Sequence, residues 1–300
     1  MSDVKNVAVF GGGGSLAAVI VPILHKHFNV TMIRRCGSNS KAPVNGIKVI
    51  DADFSSEDDL AIALKGNDAV ICMVASSAHK IQPILIDAAV AAGVRRFIPS
   101  EFGANIDNAK TRQLPVFAGK VATQEYLKNK AKTTNLSYTF IYNGAFLDWG
   151  LEHGVLIDLG PSNNSKIYNG GDSLWATTTR TTVAEAVVSV LKHLEETKNR
   201  PVFIQDAYIT QNKLLRLAQE VTPPRSWATT AIELDDITSV ADKKVTEGKF
   251  DGSVAMAYIT RALFDPEYGC NFATSDNQLL GLQGKTDEDI KAVIQTIIRW

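Results

Sequence analysis

Residues 116–130, VFAGKVATQEYLKNK, hold three groups that could move a proton. Tyr126 and Lys130 spell Y-x-x-x-K, a phenol and an ammonium one helical turn apart, a pairing suited to handing a proton to a nascent alkoxide. Lys120 stands six residues before Tyr126, with no tyrosine beside it. On a wheel of ~100° per residue, Val116, Phe117, Val121, Leu127 and Ala131 form an apolar arc of ~140°. Lys120 falls near the middle of that arc, Tyr126 nearly opposite, and Lys130 off it. The wheel therefore predicts that Tyr126 and Lys130 form a solvated pair and that Lys120 points inward. An inward ammonium is costly unless it has a partner or a task. Ser100, at the end of a predicted strand, could hydrogen-bond a substrate or cap the segment that follows.

A second group of residues suits a bound dinucleotide. VFGGGGSLAA follows the first apolar run, and glycines there let a backbone approach a pyrophosphate at the start of a helix. Gly11-x-x-Gly14-x-x-Ala17 and Gly12-x-Gly14-x-x-Ala17 both put a small residue at 17. The first is preferred because the strand ends at Phe10, with Ser15 and Leu16 opening the helix. Arg34 and Arg35 close the second strand, with Lys41 downstream and no acid nearby in sequence. An NAD site places an acid there for the ribose 2′-hydroxyl, whereas arginine suits a 2′-phosphate. The cofactor expected is NADPH; NAD and S-adenosylmethionine are disfavoured. Asp53 and Phe54 follow the third strand, where adenine lies, and Phe54 either stacks on it or caps the core. Val74 and Ala75 after the fourth strand, Ser100 and Phe102 after the fifth, and Asn143, Gly144 and Phe146 after the sixth complete the expected cofactor wall, with Lys120.

The elements that must position these residues are legible as apolar runs. Strands are predicted at 6–10, 30–34, 47–51, 68–74, 95–100 and 136–142, with helices at 57–65, 80–92 and 114–132 between them. This alternation means a parallel sheet covered on both faces. After Ala145 the rhythm changes: 162–173 reads as loop, 183–194 as helix, 201–206 as strand, 210–222 as a helix capped by Thr210, and the rest as mostly helical. The predicted architecture is α/β, a Rossmann-type doubly wound parallel sheet with a smaller, mostly helical C-terminal substrate lobe. The cofactor domain spans 1–146 plus about 181–209, and the substrate lobe 147–180 plus 210–300. The formal net charge of −1 gives no pull toward nucleic acid or an acidic membrane. Cys36, Cys72 and Cys270 are too scattered for a disulfide framework or zinc site and read as small buried hydrophobes. With no signal peptide and no membrane-length apolar run, a cytoplasmic monomer or homodimer is expected.

The chain resembles the isoflavone reductase-like, NmrA-like branch of atypical short-chain dehydrogenases/reductases. The resemblance rests on GGGGSLA after the first strand, RRFIPSEFG at 95–103, YTFIYNGAF at 138–146, ITQNKLLRLAQE at 209–220 and GKTDEDIKAVI near the end. That branch keeps the lysine of Y-x-x-x-K and lacks the tyrosine, so VFAGK carries Val116 where the tyrosine would stand. The resemblance implies an NADPH-binding reductase with Lys120 as the catalytic lysine and a substrate pocket between the lobes. Two departures are Ala17 for a third glycine and Thr182 where the branch commonly has an aspartate before a helix; Thr182 can still cap it.

These residues predict hydride transfer to a small aromatic or enone/ketone-type metabolite, with Lys120 supplying the proton at a pKa lowered by burial and by the lack of a paired acid. Phe102, Phe146, Trp149, His153, Tyr168 and Trp175 are candidates for an aromatic pocket wall. No metal site is expected. The other readings are a non-catalytic NADP-sensing regulator that binds a protein partner, which needs no inward lysine, and a methyltransferase or epimerase, disfavoured by Arg34 and the missing tyrosine.

Overall fold

Seven strands lie side by side and parallel; the central ones are apolar on both faces and can only be buried between two helical layers, while the edge strands are partly exposed. The computed structural model describes residues 4–222 and 226–298. The strands are β1 (Asn6–Phe10), β2 (Asn29–Arg35), β3 (Lys48–Ala52), β4 (Ala69–Cys72), β5 (Arg96–Ile98), β6 (Ser137–Tyr142) and, after three short strands described below, β10 (Arg200–Phe203). Their order is β10-β6-β5-β4-β1-β2-β3. The chain runs from β1 outward to β3, then returns to build the other half from β4. The crevice of a doubly wound sheet opens at this reversal, outside the carboxyl ends of β1 and β4.

One face is covered by α1 (Ala17–His25) and α7 (Arg180–Lys192), which pack Ile20, Val21 and Leu24 against the same core as Val183, Val187 and Val190. The other carries α2 (Glu57–Leu64), α3 (Gln82–Ala91) and α5 (Ala118–Thr133), with α4 (Ala109–Gln113) leading into α5. Thr179, rather than Thr182, caps α7, accepting from the Thr182 N–H. The Thr182 hydroxyl instead donates to the buried Asp206 (2.7 Å), whose other oxygen accepts from the Thr179 N–H (2.7 Å). An aspartate therefore does serve this helix start, but it comes from beyond β10, a distance in sequence that motif reading does not span.

The second lobe holds more β structure than its sequence suggests. β7 (Ala145–Phe146), β9 (Trp175–Thr178) and β11 (Ala207–Ile209) form a three-stranded sheet, and β8 (Asn164–Tyr168) pairs in parallel with β12 (Ala228–Ile232). β8 lies in a stretch expected to be loop and β12 in one expected to be helical. Residues 228–231 of β12 are all exposed, so the strand has no alternation to read; its partner 64 residues away defines it. Among the described residues, six helices complete the lobe: α6 (Leu147–Glu152), α8 (Gln211–Glu220), α9 (Leu234–Thr246), α10 (Gly252–Phe264), α11 (Asn277–Leu280) and α12 (Asp287–Ile297). Among the described residues no helix is long and apolar enough to cross a membrane. Cys72 and Cys270 are buried, their thiols pushed up to about 12 by desolvation, but Cys36 is exposed.

The helix that carries Lys120 is anchored by the pair expected to be solvated. Tyr126 and Lys130 are half-buried, and both reach Asp87 on α3: the phenol donates to Asp87 (2.6 Å) and the ammonium pairs with it at 2.5 Å. The wheel omitted the clasp because Asp87 lies on another helix. Within the inward arc the most buried residues include polar Thr123 and Gln124 as well as Leu127, while Val116, Val121 and Ala131 are only half-buried. Gln124 is satisfied by donating to Tyr142 (2.8 Å) and accepting from Arg112 (2.8 Å). Tyr126→Phe should lower stability by ~1–2 kcal/mol, as for a hydrogen bond to a charged group, read as a lower urea midpoint with unchanged slope.

Candidate active site

Two adjoining spaces occupy the crevice. A groove of about 470 Å³ runs past the ends of β1, β2 and β4, and a cavity of about 340 Å³ lies between α5 and the second lobe. Ser15 and Leu16 line both, so the two spaces meet at the start of α1.

The groove begins at Gly11. Its φ is +75°, and any Cβ there would strike the Met73 carbonyl and the Val74 N–H, so the turn after β1 lies directly on the chain after β4. Gly14 N–H closes the turn on Gly11 O (3.2 Å), and Ala17 is fully buried, as the Gly11-x-x-Gly14-x-x-Ala17 register requires. α1 has no side-chain cap and no acid in its first turn; its Ala18 and Val19 N–H groups already donate to Gly14 O (3.0 Å) and Leu16 O (3.1 Å), so an anion would meet the N–H groups of the turn just before them. Arg34, Arg35, Phe54, Val74 and Ala75 line the groove, Phe54 also packing edge-on against Phe10 at 5.5 Å.

Several expected cofactor residues are placed otherwise. Arg34 does have an acid nearby: Asp51, its partner in the β2–β3 register, binds the guanidinium through both oxygens, while Nη1 donates to Ser40 O (2.8 Å). This pairing crosses strands, which is why the local sequence did not show it. Asp53 lies outside the groove wall and accepts from the Ser55 N–H and hydroxyl (2.9 and 2.7 Å). Lys41 is exposed and also off the wall. Ser100 is buried; its hydroxyl donates to Val74 O (2.8 Å) and its N–H to Gln82 (3.0 Å), so it ties the β4 and β5 ends together and lines neither space. Asn143 is buried beneath the cavity, with Oδ1 lacking a hydrogen-bond partner, and its carbonyl accepts from Thr178 (2.6 Å). Gly144 and Phe146 reach the cavity wall; at Gly144 (φ +63°) a Cβ would run into Ala176 O of β9.

The cavity is walled by Phe102, Val116, Phe117, Phe146 and Trp149 on one side and by Met256, Ile259 and Leu263 of α10 on the other. His153, Tyr168 and Trp175 stand behind this wall. His153 stacks on Trp149 (4.4 Å), Tyr168 stacks on Phe264 (5.1 Å), and fully buried Trp175 meets Phe264 edge-on (5.2 Å). The α10 residues escaped sequence reading because an apolar helical stripe reads as core.

Two cations face this apolar space. Arg180 is held by Asp148 (2.8 Å) and Glu152 (2.7 Å). Lys120, in the first turn of α5, donates to the main-chain carbonyl of Glu101. Burial holds its pKa below the ordinary lysine value, and the nearby Glu101 carboxylate opposes that shift. Lys120 therefore feels an acid through space, which the sequence did not show, although no carboxylate comes within ion-pair distance of it. Glu101 is 2% exposed, its Oε2 has no hydrogen-bond partner, and desolvation raises its carboxyl to about 7. Phe102, the next residue, has φ +33°, uncommon for a bulky side chain, and this turn puts the ring in the cavity wall. Buried His79, packed beside Gly119, is lowered to about 4 by desolvation and then by Lys120. Sequence reading missed Glu101, His79 and Asp51; only Glu101 had a signal, lying inside the RRFIPSEFG segment. Among the described residues no cluster could hold a metal ion.

A crevice of this form on a parallel doubly wound sheet defines a dinucleotide-binding protein class. The NmrA-like family model matches residues 3–233. The oxidoreductase aprR of Aspergillus flavus is 34% identical over 296 residues, covering 96% of this chain and 98% of that protein. Among solved structures, the leucoanthocyanidin reductase–NADPH complex of Vitis vinifera superposes with a TM-score of 0.80 at 18% identity, covering 97% of this chain and all of that one. AtPrR2 with NADP+ and (+)pinoresinol gives 0.78 at 20% identity, covering 98% and 100%. The chain belongs to the NmrA-like family and is an oxidoreductase in class.

His79 predicts an acid-side weakness. Its folded pKa is about 4 against an ordinary 6.5, so between those values the unfolded chain binds a proton that the folded chain refuses. Stability should be full above pH ~6.5 and fall as pH drops toward ~4, by at most ~3 kcal/mol from this group. Urea titrations at pH 7 and 4.5 should show a smaller difference in His79→Gln than in the unmodified protein.

Proposed function

We propose that the protein is an NADPH-dependent reductase that transfers hydride to a small aromatic or enone/ketone-type metabolite with assistance from Lys120. The observation that carries this reading is the Lys120 ammonium: among the described residues it is the cation of the cavity wall with no carboxylate within ion-pair distance, facing an otherwise apolar space that joins the glycine-loop groove. NADPH fits the groove: the pyrophosphate at the uncapped start of α1, and the 2′-phosphate at Arg34 and Arg35. Arg34 uses its Nε–Nη2 edge on Asp51 and keeps N–H groups of Nη1 and Nη2 for a phosphate. The named relatives and solved neighbours support the same reading.

Bound NADPH would supply a hydride at its nicotinamide. Lys120 would hold the acceptor oxygen with a charge-assisted hydrogen bond and donate the proton as negative charge develops there. Val116 offers no phenol beside it. The apolar wall excludes water and selects flat, largely apolar substrates; Ser100 acts by holding the Val74 turn.

The protein should bind NADPH more tightly than NADH in a fluorescence titration. Arg34→Ala should weaken NADPH selectively by ~1.5–3 kcal/mol. Lys120→Met should lower kcat by ~10²–10⁴ with cofactor binding retained, while Lys130→Ala stays within a few-fold. Turnover in the unmodified protein should fall on the alkaline side as Lys120 loses its proton. NADPH binding without oxidation of NADPH by any aromatic enone or ketone would replace this reading with the non-catalytic sensor.

A further inference from the structure

Glu101 has no place in the reaction described so far, yet it is buried directly before Phe102 and Gly103 of the cavity wall. Its main-chain carbonyl accepts the Lys120 ammonium, and its side chain is buried with one carboxylate oxygen lacking any hydrogen-bond partner. A buried, incompletely satisfied carboxyl is costly. A glutamine would fill the same volume without carrying charge, so hydrogen bonding alone does not account for an acid here. What the acid adds is a negative charge that opposes the downward pull of burial on the Lys120 ammonium.

We propose that Glu101 is a positioning residue for Lys120: its carbonyl aims the ammonium into the cavity, and its carboxylate keeps that ammonium charged there. This rests on the proposed role of Lys120. The groups around Glu101 sort consistently. Lys120 and the Gln124 side chain, both from α5, favour its ionised form, as Arg112 from α4 does to a smaller degree. Asp107, in the loop before α4, opposes it. Tyr142 of β6 is close enough for the Glu101 charge to help keep its phenol protonated; its hydroxyl donates to Asp107 (3.2 Å) and accepts from Gln124 (2.8 Å). His79, on the other side of Lys120, is held neutral by burial and adds no competing charge at neutral pH. Glu101 is therefore the acid that Lys120 feels most.

The sign follows directly. An ionised Glu101 raises the Lys120 pKa; removing that charge lowers it. Glu101 itself ionises near 7, so the support is present above that pH and withdrawn below it.

The test follows Lys120 itself. The protein is prepared with 13Cε-labelled lysine, and the Lys120 signal is assigned by its loss in Lys120→Met. In the unmodified protein that signal should titrate in two steps, a small inflection near 7 from Glu101 and a main one from the amine. In Glu101→Gln the inflection should vanish, and the main step should move to lower pH by ~1 unit, the scale of one lost opposite charge. Glu101→Asp, which keeps the charge, should lie closer to the unmodified protein. The alkaline limb of kcat should move with the NMR step. No inflection in the unmodified protein, or the same main step in Glu101→Gln and the unmodified protein, overturns the proposal. A step that moves while the kcat limb stays leaves the Glu101–Lys120 link standing and removes Lys120 as proton donor.

Discussion

The crevice is organised around one constraint, an ammonium buried at the meeting of two lobes. An isolated charge there would cost several kcal/mol or lose its proton. Lys120 is accommodated because the β5 turn brings the Glu101 carbonyl to it and because the far end of α5 is clasped to α3 through Asp87. The turn has its own cost, a positive φ at Phe102, and the same turn sets that ring in the cavity wall. Strain of this kind persists where surrounding contacts over-determine the backbone, and here the turn after β6 supplies them: the Asn143 and Gly144 N–H groups both donate to Gly103 O (3.1 and 3.0 Å).

Charge is distributed unevenly along the crevice, and the distribution divides its work. Around the groove the cations keep free N–H groups and the start of α1 is uncapped, which suits a phosphorylated cofactor. Around the cavity the second cation, Arg180, is neutralised by Asp148 and Glu152, leaving one amine in an apolar wall. In the proposed reaction, this apolar site with one placed donor would orient a flat substrate by its oxygen and exclude water from the reacting atoms.

The lobes are joined by a buried acid as well. Asp206 accepts from the start of α7, which covers the main sheet, while its main-chain carbonyl accepts from Lys285 N–H (2.7 Å) just before α12. This ties the C-terminal chain to the sheet that carries the cofactor groove. Fold likeness alone does not name a reaction, since the same sheet hosts unrelated chemistries. The particular side chains in the crevice carry the functional reading.

The sequence by itself determined the sheet and the glycine turn. Strands buried on both faces must be apolar throughout, helices between them must be amphipathic, and only glycine fits where the β1 turn touches Met73; each of these leaves a local signature. The wheel also found Lys120, since helical period is local. Tertiary structure alone decided which charges meet. Asp51 reaches Arg34 across a strand register, Asp87 reaches Tyr126 and Lys130 from another helix, and Glu101 reaches Lys120 from a loop 19 residues away. The same holds for β12, which is exposed and unpatterned until β8 pairs with it, and for α10, whose apolar stripe becomes a cavity wall only once it faces Phe102 and Trp149. Electrostatic and packing partners depend on distance in space, and a sequence records that distance only where the chain is local.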